Sequence, residues 1–228
     1  GSGDGAVAPK SGHSGQLADI PPELLAAYSR VSLPGTETVV ALNDGGDVVG
    51  ASATAGVLWH GAAHDRTTLR IIPTAIANDG TVAGSLDGHA ATWKNGSVTI
   101  LDPAASAALA ICRCEPATVV GSVQVDGVTH AAIWVDGIRI DAGVLPRSTH
   151  AEFSSIATGF VVGNAIVREP DPHSGDSTNL PEPFSWSSAR GWQPFTYLAG
   201  ATSAVIVSLN SRGVAVGFGV GPNSFNIV

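Results

Sequence analysis

Two short stretches bring together the groups in this chain best suited to chemistry. "GVLPRSTHAEF" (143–153) carries Arg147, His150 and Glu152, and "REPDPHSGDSTNLPEP" (168–183) carries Asp171, His173 and Asp176. A histidine beside carboxylates can be tuned for general acid/base work or can help hold a charged ligand. Hydrolysis of a glycoside would need two carboxylates roughly 5–10 Å apart, and Glu152 with Asp171 is the pair this chain could offer. If the protein is an enzyme, His150 and Glu152 are the catalytic candidates. If it is a binding module, all six residues are ligand contacts.

Other combinations are weaker. "WHGAAHDR" (59–66) places His60 and His64 four residues apart with Asp65 beside them, a spacing that binds metal on a helix. Here it follows a strand tryptophan, so a turn is expected and no metal site is assigned. Cys112 and Cys114 are the only cysteines. Neighbours of this kind on a strand face opposite ways, so two free or intermolecular thiols are expected, and zinc would lack further ligands. No phosphate-cradling glycine loop and no nucleophile elbow is present, and no cofactor is called for.

The elements that position these groups follow from composition and repetition. Glycine numbers 28, proline 14, and charged residues make up 13% of the chain, a balance suited to short strands and tight turns. A formal charge of −8, with Lys10 and Lys94 the only lysines, leaves no basic footprint for nucleic acid. No apolar run reaches the roughly 18 residues of a membrane span, so no membrane insertion is expected. Residues 1–18 read as a flexible lead, either a tag or a mature N-terminus, and 19–228 as a single domain.

One pattern recurs along that domain. "GDVVG" (46–50), "GTVAG" (80–84), "ATVVG" (117–121), "GFVVG" (159–163) and "GVAVG" (213–217) each follow an apolar strand and a turn. In the second and third copies a hairpin continues through Asp87-Gly88 or Asp126-Gly127, a "HAATW" or "THAAIW" strand, and Asn95-Gly96 or Asp136-Gly137. Asn-Gly and Asp-Gly fit type I′ turns, where both central residues take φ > 0. Trp59, Trp93, Trp134 and Trp186 hold equivalent places, with Phe225 the candidate for a fifth.

Units of this length fit one four-stranded sheet each. The last unit runs out before its fourth strand, while "RVSLPG" (30–35) reads as a fourth strand without a sheet. The fold expected is therefore all-β, a five-bladed β-propeller closed by its N-terminal strand. One short helix is expected at "DIPPELLAAY" (19–28).

The constellation Asn-x-x-Gly-x-Val-x-Gly followed by His-Ala-x-x-Trp-x-x-Gly, strongest at 74–101 and 114–142, resembles the HAF-type extracellular repeat proteins of bacteria. Ala91 and Ala132 replace the Phe of the family's name. The resemblance implies a repeat fold and export to the extracellular space or cell envelope, and it implies no reaction. His89 and His130, each four residues before a Trp, then read as framework groups whose hydrogen bonds to backbone tie one blade to the next. The tryptophans read as wedges between blades.

Departures from the repeat are the better functional candidates, because loops on a rigid ring are free to specialise. Strand connectivity puts 143–153 and 168–183 on one rim and "CRCEP" (112–116) on the other. The function expected is a monomeric binding module that takes a small molecule, glycan or peptide at one channel mouth. The alternative is a small isomerase, lyase, cyclase or glycosidase working on the same rim.

Overall fold

A computed structural model describes residues 33, 38–52, 55–61, 65–112, 117–157, 159–170, 177–196, 200–221 and 224–227. The chain divides into two compact units, Gly1–Pro34 and Gly35–Val228, and every described strand lies in the second. The helix expected at 19–28 and, apart from Leu33, the closing strand expected at 30–35 fall outside the described residues.

The second unit is all-β, with no helix among the described residues. Its strands form five successive antiparallel meanders. The first is β1 (Thr38–Leu42), β2 (Val48–Ala51), β3 (Gly56–His60) and β4 (Asp65–Leu69), and the second is β5 (Ile72–Ile76), β6 (Val82–Leu86), β7 (His89–Lys94) and β8 (Ser97–Ile100). The third is β9 (Ser106–Ile111), β10 (Thr118–Val125), β11 (Val128–Val135) and β12 (Ile138–Gly143), and the fourth is β13 (Ser148–Ala157), β14 (Phe160–Pro170), β15 (Ser177–Ser187) and β16 (Gly191–Pro194). The fifth is β17 (Ser203–Leu209), β18 (Ala215–Gly221) and β19 (Ser224–Ile227). A single parallel pairing, Thr129 with His150, joins the third meander to the fourth. No ladder joins the fifth to the first among the described residues.

The turn chemistry explains the hairpins. Asp87, Asn95, Asp126 and Asp136 have φ between 48° and 51°, and each is followed by a glycine also at positive φ, as type I′ turns require. The recurring glycine has a separate cause. The first strand of every meander carries a bulge, and the ladder slips beside Gly50, Gly84, Gly121, Gly163 and Gly217. At the last four, a Cβ would collide with the carbonyl oxygen of Ile72, Ala107, Glu152 or Val205 on the bulged strand. Only glycine leaves room for the extra residue.

Faces alternate along each strand, so the second, third and fourth sheets each have one face toward the preceding meander and one toward the following. Val49, Leu58, Leu69 and Ile71 of the first meander pack on Ile76, Val82, Ala91 and Trp93 of the second. Ala77, Ala83 and Ala90 of the second pack on Ala108, Ile111, Val119, Val123, Ala132 and Trp134 of the third. Val120, Ala131 and Ile133 of the third pack on Ala151, Phe153, Ala165 and Phe184 of the fourth. The core is thus a series of junctions between sheets, as layered β-structure requires.

Trp93, Trp134 and Trp186 wedge these junctions. Trp59, Trp93, Trp134 and Trp186 stand across from Val48, Val82, Val119 and Val161 in the ladders, one equivalent position in four sheets. Phe225 does not hold the fifth place. It pairs with Val220, whereas the residue equivalent to those valines is Ala215, and the hairpin of the last sheet places Phe225 five positions short of it.

Candidate functional site

A cavity of about 690 Å³ is lined by the C-terminal ends of all five first strands, β1, β5, β9, β13 and β17. At one equivalent position the five strands contribute Ala41, Ala75, Ala110, Ser155 and Ser208. These small side chains leave the middle open. Apolar walls come from Leu42, Ile76, Ile111, Ile156 and Leu209, and the lip is polar: Asp44, Asn78, Asn210 and Ser211.

Hydrogen bonds between neighbouring sheets fix that lip. The Asn78 side-chain amide donates to Asp44 Oδ2 at 2.7 Å, and the Asp44 backbone N–H donates to Asn78 Oδ1 at 3.0 Å. Asn43 Nδ2 donates to the Ala77 carbonyl at 3.2 Å. Within the fifth meander Asn210 Oδ1 accepts the N–H groups of Arg212 and Val214, which shapes the turn after β17. The Leu209 N–H donates to Ser155 Oγ at 3.1 Å across the fourth and fifth meanders. Among the described residues lining the cavity Asp44 is the sole charged one, which favours neutral or cationic polar ligands over anions.

Cys112 lines the same cavity and is disulfide-bonded. This corrects the expectation of free thiols. Strand β9 ends at Ile111, so the opposite-face argument for a strand stops one residue short of Cys112. Cys114 lies outside the described residues.

Arg147, His150 and Glu152 sit at the other end of the sheets, just before and at the start of β13. The structure does bring the two stretches together. Arg147, at φ 66°, forms an ion pair with Glu169 at 3.0 Å, and its carbonyl accepts the Arg168 N–H at 3.4 Å. His150 Nε2 lies 3.5 Å from Glu152 Oε2, with both side chains partly exposed. Both residues are at the start of β13 and neither lines the central cavity. Asp171, His173 and Asp176 lie outside the described residues. Most of 168–183 is not a loop: β14 and β15 extend through it as one long hairpin, pairing Arg168 with Asn179 and Pro170 with Ser177.

The remaining candidates resolve individually. His60 approaches Asp47 at 3.8 Å and Thr67 Oγ1 at 3.3 Å, while His64 lies outside the described residues. Among the described residues no three His, Cys, Asp or Glu side chains converge as a metal site would need. His89 Nδ1 meets the Ala104 carbonyl at 3.0 Å, on the link to the next meander, as expected for a framework tie. His130 departs from that pattern and meets Asp141 at 3.0 Å within its own sheet. The cause is a substitution on the fourth strand: Ile100 stands across from Ala91, whereas Asp141 stands across from Ala132.

Sequence reasoning missed the cavity itself, because Asp44, Asn78 and Asn210 read as turn residues of the repeat. The available signal was the unbroken run of small residues at one first-strand position. It also missed Asp102, whose buried carboxylate accepts hydrogen bonds from Trp134 Nε1 at 3.4 Å, Arg139 Nη1 at 3.1 Å and the Ala104 N–H at 2.9 Å.

No model of a known protein family matches the chain, and a search of curated proteins returns no significant relative. Among the described residues no helix is long and apolar enough to cross a membrane.

Proposed function

We propose that this chain is a five-bladed β-propeller of the HAF-repeat kind, and that it binds a small polar organic molecule in its central cavity. The observation that carries this reading is the contribution of all five first strands, at equivalent positions, to the wall of one cavity of about 690 Å³. That volume falls in the range of roughly 300–1,000 Å³ typical of ligand sites. Small side chains keep the space open, apolar walls exclude water, and the hydroxyl and amide groups at the lip orient the ligand. In this reading residues 30–35 complete the fifth sheet. The disulfide at Cys112 supports an extracellular or cell-envelope location, where disulfides persist.

Thermal-shift screening against small polyols, amino acids and amines tests the reading. A compound at about a hundred times its Kd adds about 2.7 kcal/mol of stability. Ser208→Phe, which projects into the cavity, is expected to abolish the shift while leaving the unliganded melting temperature within a few degrees of the parent. Absence of any stabilising compound, or equal stabilisation of the Ser208→Phe protein, overturns it.

A further inference from the structure

A second opening lies between the fourth and fifth meanders, away from the central cavity. It has a volume of about 190 Å³ and is lined chiefly by Pro183, Phe195, Val205, Ala215, Gly217 and Phe218. We propose that it is a binding site for one planar aromatic group of the size of indole.

The repeat supplies the argument. In each of the first four sheets a tryptophan stands across from the valine equivalent to Ala215. At the junction of the first and second meanders, Trp93 packs on the preceding sheet beside Leu69. In the fifth sheet β19 pairs only with Phe218–Gly221, so among the described residues Ala215 to Gly217 have ladder partners on the β17 side alone. No indole therefore fills the place beside Ala215, and the groove occupies it.

The facing wall records the same vacancy. Phe195 donates its N–H to the Pro183 carbonyl, and Leu69 pairs with Gly56 at the equivalent place in the first meander. Leu69 is 1% exposed beneath its neighbour's tryptophan, whereas Phe195 is 39% exposed. All five tryptophans of the chain, at 59, 93, 134, 186 and 192, already stand in described strands, so an indole for this groove must come from outside the chain. An apolar cavity of about 150 Å³ takes benzene, which places a groove slightly larger than that in the range of a bicyclic aromatic ring. Among the described residues the β19 side of Ala215–Gly217 is unpaired, which gives the ring a way in.

Titration with indole, followed by amide NMR shifts of the full chain, tests this directly. Saturable shifts are expected at Val205, Ala215, Gly217 and Phe218, with the saturated bicycle decalin binding at least tenfold more weakly. Ala215→Phe fills the groove and is expected to weaken indole at least tenfold. Phe195→Ala removes a wall without adding bulk and is expected to weaken it several-fold, so the result does not hang on one variant's folding. Shifts centred on Ser155 and Ser208, affinity unchanged in both variants, or no saturable binding overturns the assignment.

Discussion

The junction between the second and third meanders and the junction between the fourth and fifth are built from the same repeat and share one polar tie, Thr74 Oγ1 to the Ala108 carbonyl at 2.7 Å in the first and Ser154 Oγ to the Ile206 carbonyl in the second, yet they are packed differently. The first is mainly apolar. Alanines on one sheet admit Trp134, Val119 and Ile111 from the next, and the buried Asp102 carboxylate satisfies the indole N–H. The second is tied by polar groups. The Asn164 side chain donates to the Ile206 carbonyl at 2.9 Å and accepts its N–H at 2.8 Å, and Ser154 Oγ donates to the same carbonyl at 3.2 Å. A groove stands where the apolar junctions have a tryptophan. One sequence pattern therefore yields a tight wedge or a loose, accessible seam, according to whether the third strand reaches its tryptophan.

The largest expected effect breaks the apolar side of this comparison. Trp134→Ala should cost about 3–5 kcal/mol, because it opens a cavity and also strips a donor from buried Asp102. Phe195→Ala, at the loose junction, should cost under about 1 kcal/mol because its ring is partly exposed. Urea unfolding of the two variants checks the ordering, and equal losses would contradict the distinction.

A middle-sized effect belongs to the polar tie. Asn164→Ala removes the side-chain acceptor of the Ile206 N–H and one of the two side-chain donors to its carbonyl, leaving Ser154 Oγ, and should cost about 1–3 kcal/mol. Hydrogen exchange should accelerate in β17 and β18 while the protection of β10 and β11 is unchanged. Uniform acceleration across all sheets would mean that the seam is not a separate weak point.

The smallest effect is electrostatic. Partial burial raises the pKa of Asp79, but hydrogen bonds from Lys94 and Thr81 and the charge of Lys94 outweigh it, so the carboxyl sits below its ordinary value. A depressed pKa adds stability that is present above the unfolded-state value, about 3.9, and is lost as pH falls through the lower folded-state value. Asp79→Asn should therefore narrow the difference in urea midpoint between neutral pH and pH values below about 3.9. Because Lys94 is half exposed, the contribution is small.

These contrasts also mark what the sequence reveals. The hairpins were legible because Asn-Gly and Asp-Gly pairs can adopt two successive positive φ values at little cost. The tryptophan wedges were legible because they recur in step with the valine strands. The β14–β15 hairpin was not, since Pro181 and Pro183 read as strand breakers. They are tolerated because the β16 ladder covers only Phe184–Ser187 among the described residues and asks Pro183 for its carbonyl alone, as acceptor of the Phe195 N–H, so no N–H is needed from either proline on that side. The cavity was hidden for a different reason. An open channel is marked by what its residues lack in bulk, and Ala41, Ala75, Ala110, Ser155 and Ser208 carry no chemical signature one at a time.

We propose, as the central reading, that five sheets stand around one cavity and that residues 30–35 complete the last of them. Nuclear Overhauser contacts in the labelled full chain test it most directly. The account predicts cross-strand contacts between residues 30–35 and the Ser224–Ile227 strand, with extended-strand chemical shifts in both segments. Coil shifts at 30–35 with no such contacts, or contacts from that segment to a different sheet, would contradict it.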